Sequence, residues 1–195
     1  TTEKVSNKSY VFITLQINPS AKSGILQLKF YDKNKVLITK DFPILEREKN
    51  SAQRESFSQK DAILLIVPDR FSNGDTKNDS VQTMTEKAID RKNEDKRHGG
   101  DIQGIINQLD YIQSLGYTQI WNTPLIENNQ PQYSYHGYAA TDFYKIDPRF
   151  GTNEQFITLV QEAQKRGIGI IWDVVLNHCG AEYYFIKDLP SEDWT

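Results

Sequence analysis

Two hydrophobic periods follow one another along this chain, and each predicts its own kind of element. Over residues 9–45 the aliphatic positions alternate with polar ones. Val11, Ile13, Leu15 and Ile17 share one face of a predicted strand, and Leu26, Leu28 and Phe30 share one face of the next, over 25–31. Asp32, Lys33, Asn34 and Lys35 are turn residues, so 36–39 is expected to pair back as a hairpin. Beyond residue 61 the apolar residues come in short solid runs separated by stretches with helical spacing.

Residues 62–67 form the first such run, an apolar strand stopped by Pro68, with an irregular stretch to Gly100. Asp101 can cap a helix that carries Ile102, Ile105, Ile106, Leu109 and Ile112 on one side and ends at Gly116. Residues 118–121 predict a second strand. Thr152 and Gln155 then form a capping-box pair ahead of Phe156, Leu159, Val160 and Ala163, with Gly167 as the stop. The run over 168–178 reads as a third, buried strand that carries Asp173, Asn177 and His178 toward its carboxyl end, where α/β folds place ligands.

Strand, helix, strand, helix, strand implies right-handed parallel crossovers. A doubly wound sheet and a (β/α)8 barrel both begin this way. The glycine fingerprint of a dinucleotide site is missing after the first strand, and the long Asn- and Asp-rich loop found there instead favours the barrel. The expected organisation is therefore α/β. Residues 1–46 would form a partial all-β, immunoglobulin-like sandwich, short of the about seven strands of a complete one. Residues 47–61 would be a polar linker, and 62–195 the first part of a (β/α)8 TIM barrel, about three β/α units.

Composition narrows the function classes. A formal net charge of −3 gives no electrostatic case for a nucleic-acid partner. No apolar stretch approaches bilayer length, so no membrane partner is expected. The charge run over 86–97 mixes both signs and reads as a solvated loop. The single cysteine, Cys179, excludes an internal disulfide and reads as a small buried residue rather than a nucleophile.

Three clusters could carry chemistry. Asn73, Asp75, Asn78, Asp79, Gly99 and Asp101 collect carboxylate and amide oxygens on glycine-bearing loops, which suits a hard cation such as calcium but also ordinary turns and caps. The spacing is not that of an EF-hand, because Phe71, Lys77 and Ser80 fall where oxygen ligands are required. Tyr133, Tyr135, His136 and Tyr138 could stack on and hydrogen-bond sugar rings, or could pack a long loop onto the sheet. Asp173, Asn177 and His178 are too few for a catalytic zinc and lack a placed nucleophile. A buried, paired Asp173 is the plain alternative.

These stretches together resemble the α-amylase family, glycoside hydrolase family 13, and within it the neopullulanase and cyclomaltodextrinase branch. The carriers are residues 68–75 (PDRFSNGD), 99–105 (GGDIQGI), 135–139 (YHGYA), 147–152 (DPRFGT) and 173–180 (DVVLNHCG), in the family's order. The resemblance implies that Asn73, Asp75, Asn78, Asp79, the Gly99 carbonyl and Asp101 hold a structural calcium ion. It implies that Tyr138 stacks on the glucose at subsite −1 with His136 beside it, that His178 hydrogen-bonds that glucose's 6-hydroxyl, and that Asp173 braces the site. The substrate would be an α-glucan oligosaccharide, and the reaction retaining hydrolysis of α-1,4 bonds, with α-1,6 bonds as a second class. A periplasmic or secreted location and a homodimer of the parent belong to the same implication.

Retaining glycosidases need two carboxyl groups about 5–5.5 Å apart. In this family they come from strands after the third, so no catalytic carboxylate is expected within the chain. The remainder of the barrel would have to supply them, and the chain alone would be inactive. A non-enzymatic carbohydrate-binding module is the rival expectation.

Overall fold

The computed structural model describes residues 2–194, which divide between Ser56 and Phe57, inside the expected linker, into two units. In the first unit, β1 (Thr2–Lys4) pairs antiparallel with β2 (Val11–Ile13), and β3 (Gly24–Asp32) with β4 (Lys35–Ile44). The hairpin turn holds Lys33 at a positive φ of 51°. Register sets Leu26 opposite Phe42, Leu28 opposite Lys40 and Phe30 opposite Ile38, so the expected one-sided apolar face exists and extends across both strands. Among the described residues the two pairs remain separate two-stranded sheets, and none up to Ser56 is buried. The immunoglobulin-like sandwich is thus not seen. The strand expected to reach residue 17 stops at Ile13, because its partner β1 supplies only three residues of register, and Leu15 and Ile17 are exposed.

The second unit is built on three parallel strands in the order β5 (Ile63–Ile66), β6 (Gln119–Asn122) and β9 (Gly169–Trp172). Between them, in chain order, come α1 (Pro68–Phe71), α2 (Ile102–Asn107) and α3 (Leu109–Ser114), then a small antiparallel pair, β7 (Ile126–Glu127) and β8 (Asp142–Ile146), and α4 (Asn153–Gln164). A last turn, α5 (Tyr184–Lys187), follows β9.

Sequence explains most of these ends. Asp101 accepts the Gly104 amide and caps α2, and Thr152 and Gln155 form the reciprocal capping box of α4. The helix expected as one piece over 102–112 is two, because Gln108 leaves helical geometry at φ −104° and ψ 3°. Pro68 does not merely stop β5; it opens α1, where its missing N–H costs nothing.

The core is one cluster in which Ile66 and Ile120 of the sheet meet Ile102, Ile105, Leu109 and Ile112 and, from α4, Leu159 and Ala163. Each buried Ile or Leu contributes about 1.5–3 kcal/mol relative to exposure. The sheet's two faces differ. Leu64, Ile66, Ile120 and Ile170 turn to the helices, while Ile63, Leu65, Trp121 and Ile171 occupy the alternate face, where Leu65 is 54% and Trp121 40% exposed. Parallel sheets are normally covered on both sides. Here an apolar face carries no second layer among the described residues.

Candidate functional site

The functional side chains sit on loops that leave the carboxyl ends of β5, β6 and β9. After β5, backbone crosses backbone so closely that a Cβ on Gly104 would lie 1.8 Å from the Ser72 carbonyl oxygen. Only glycine permits this approach. The crossing sets residues 72–79 against the start of α2, where Asp101 serves as a hub. Its Oδ1 accepts the Gly74 and Gly104 amides at 3.0 and 2.6 Å, and its Oδ2 accepts the Asp75 amide at 2.8 Å and Asn78 Nδ2 at 3.0 Å.

Asn73 Nδ2 donates to Asp79 Oδ1 at 2.7 Å, and both lie against Gly99, whose φ of 86° is open mainly to glycine. Asp75 accepts the Lys77 amide. The structure therefore builds a cradle from two hydrogen-bonded groups, Asp101 with Gly74, Asp75 and Asn78, and Asn73 with Asp79 against Gly99. It leaves two amide oxygens, Asn73 Oδ1 and Asn78 Oδ1, buried without a hydrogen bond. A buried acceptor without a donor costs about 1–3 kcal/mol. These oxygens fit a hard cation. Among the described residues no group of three or more His, Cys, Asp and Glu side chains could hold a metal. The fit therefore rests on the two amide oxygens rather than on a cluster of carboxylates.

The residues expected to face sugar also come together. Asp173 Oδ2 accepts Tyr138 OH and Trp121 Nε1, each at 3.0 Å. Trp121 was not anticipated, although register foretells it: it pairs with Ile171, two residues before Asp173 and on the same side of the sheet. His178 Nε2 donates to the Tyr138 carbonyl at 2.9 Å, and its Nδ1 meets Asn177 Nδ2 at 3.2 Å. His136 lies face to face with Tyr138, with centroids 5.9 Å apart and planes at 22°, and its Nδ1 accepts the Tyr138 amide at 2.8 Å. Gly137 lets the loop turn between them at φ 82°.

Burial lowers the His136 pKa from its usual value, which suits the acceptor role of Nδ1. Burial, with the Asp173 hydrogen bond and charge, raises that of Tyr138, whose hydroxyl stays a donor. The strand expected to run on to His178 ends at Trp172, and Val174 and Leu176 are exposed beyond it. Among the described residues no neighbour follows β9 in the sheet order to pair with a longer strand. Asp173 is half-buried and paired, and Cys179 is half-buried rather than buried.

Sequence reasoning missed a second polar layer. The 86–97 run is solvated only in its middle, since Glu86 and Arg97 are buried at its ends. Arg149 and Asp147 form a fully buried pair: Arg149 Nε and Nη2 bind the Asp147 carboxylate at 2.9 and 2.7 Å, while Nη1 and Nη2 reach the Glu86 and Asn128 carbonyls. Burial pushes the Asp147 carboxyl up, but the hydrogen bonds and charge of Arg149, with Arg97, hold it below the ordinary carboxylate range. Glu86 Oε2 in turn accepts Ser134 Oγ at 2.7 Å and ties down the 133–138 loop.

Residues 65–194 match the family described as alpha amylase, catalytic domain. The chain belongs to the α-amylase family. Neopullulanase 2 of Thermoactinomyces vulgaris is 32% identical over 169 residues, which is 87% of this chain and 26% of that protein. The crystal structure of an Anoxybacillus α-amylase superposes with a TM-score of 0.64 at 42% identity, covering 72% of this chain and 29% of that one. A cyclic α-maltosyl-(1→6)-maltose hydrolase of Arthrobacter globiformis, solved with that saccharide, gives 0.57 at 36% identity and covers 69% and 30%. This α-amylase family chain spans between 10% and 30% of the lengths of such relatives.

Proposed function

We propose that this chain supplies the sugar-positioning wall and the cation cradle of an α-glucan hydrolase. The reaction is retaining cleavage of α-1,4 glucosidic bonds in maltooligosaccharides, cyclodextrins or pullulan, with α-1,6 bonds as a second class. The observation that carries the reading is the meeting of Tyr138, Trp121 and His178 around Asp173 at the carboxyl ends of the strands, the face on which barrel enzymes build their active sites.

Tyr138 presents a partly exposed ring for the apolar face of a glucose, and Asp173 fixes its tilt by accepting its hydroxyl. His178 keeps Nε2 on the Tyr138 carbonyl. Its exposed Nδ1 can exchange the 3.2 Å contact to Asn177 for a sugar hydroxyl. Asn73, Asp75, Asn78, Asp79, the Gly99 carbonyl and Asp101 would hold calcium, whose charge would answer the two buried amide oxygens and stiffen the loop after β5. The uncovered sheet face, with Leu65 and Trp121, suits the interior of a barrel that further strands close. Those strands carry the reacting carboxylates, so the chain alone is inactive. The protein works in the periplasm or outside the cell.

The test compares the whole protein with the 195-residue chain on maltotetraose and a cyclodextrin. Reducing-sugar release is expected from the whole protein only. Release by the isolated chain, or saccharide binding by the whole protein without cleavage, would defeat the proposal.

A further inference from the structure

We infer that Asp69, which lies on α1 and outside the cradle, is the positioning residue that aims the Gly99 carbonyl into it. This rests on the cation reading given above. Asp69 is 1% exposed, and its carboxylate binds main chain rather than any ligand: Oδ2 accepts the His98 amide at 2.8 Å and Oδ1 the Gly99 amide at 3.3 Å. Its own carbonyl accepts the Gly100 amide at 2.9 Å. One residue thus holds three successive peptide units, which are the units that set the direction of the Gly99 carbonyl.

The surroundings explain why a carboxylate is needed. Two arginines converge on it, Arg70 Nη1 at 2.5 Å and Arg97 Nη2 at 3.6 Å. Arg97 is 1% exposed and its guanidinium nitrogens have no hydrogen-bond partner; it rests over the Phe150 ring at 4.7 Å. Arg70 also donates to the Lys96 and Glu94 carbonyls, so it grips the same loop from the other side. A neutral amide in place of Asp69 would keep one acceptor, turn an NH2 group toward a backbone N–H, and leave Arg97 without its nearest counter-charge. The loop over 97–100 would then lose its fixed orientation while the cradle's own side chains remained intact. Partners that orient ligands in this way typically change metal affinity 10- to 100-fold when altered.

The experiment titrates calcium, and separately terbium, into the whole protein as wild type, Asp69→Asn and Arg70→Gln. Secondary structure is followed by circular dichroism. Asp69→Asn is expected to weaken calcium binding by at least about tenfold, and Arg70→Gln by less. The luminescence lifetime of bound terbium should report about one additional coordinated water in Asp69→Asn, as water takes the place of the misaimed carbonyl. If Asp69→Asn fails to fold, Arg70→Gln carries the same two readouts. Unchanged affinity and hydration in a folded variant would overturn the inference, as would equal destabilisation with and without calcium. A wild type that binds neither ion would instead defeat the cation reading on which the inference stands.

Discussion

In and around the cradle, Asp101, Asp69 and, more distant in sequence, Asp147 are all buried, and each carboxylate receives two or more donors. At the wall, Tyr138 and His178 are exposed, and Leu176 beside them is 91% exposed. The first region is held by buried hydrogen bonds within this chain, so its geometry follows from contacts already present. The second is held by a few hydrogen bonds around Asp173 and borders a sheet face without a second layer. Changes at the cradle should therefore read out as stability and metal binding, and changes at the wall as turnover.

The largest effect expected falls on the buried pair. Asp147→Ala leaves Arg149 buried without its partner and should cost about 3–5 kcal/mol in urea unfolding of the whole protein. A loss under 1 kcal/mol would erase the contrast between the regions. Tyr138→Ala should do the reverse: kcat/KM on maltooligosaccharides should fall by about 10²-fold, with stability held within about 0.5 kcal/mol. If stability fell instead, the ring would be packing rather than a sugar contact.

Thr152→Ala, away from both regions, removes the α4 cap and should cost about 1 kcal/mol in the same unfolding assay while leaving kcat/KM unchanged.

Acid should separate the regions more gently. The folded pKa of Asp147 lies below its unfolded value of about 3.9, so its stabilisation is complete above that pH and is lost as pH falls through the folded value. The folded pKa of His136 is also depressed, from about 6.5, so its small contribution fades first, as pH drops below that value. Stability measured against pH should show the shallow step first and the deep one last, and His136→Gln should abolish only the shallow one.

Much of this arrangement was legible in the residues. The capping signals of Asp101 and Thr152 rest on local geometry, and both helices start where those signals lie. The loops that carry the oxygen-bearing residues from 73 to 101 pack together because glycines at 74, 100 and 104 allow backbone to cross backbone, while Gly99 leaves room for the Asn73 and Asp79 side chains. Alternation over 25–31 gave the right face of the first hairpin strand but not its burial, because a period of two specifies a face and says nothing about what covers it. The buried ends of the 86–97 run were hidden for a related reason. Arg97 and Glu86 find partners 28 and 48 residues away, at Asp69 and Ser134, and spacing within a charge run carries no trace of such pairings.

The central claim is that Tyr138, Asp173 and His178 form one wall of a glucan site. Its most direct test is a crystal structure of the whole protein with a maltooligosaccharide analogue that is not cleaved. The account predicts a glucose ring in van der Waals contact with Tyr138 and hydrogen-bonded to His178, with Asp173 still accepting the Tyr138 hydroxyl. Saccharide bound elsewhere, with Tyr138 and His178 covered by protein, would contradict it.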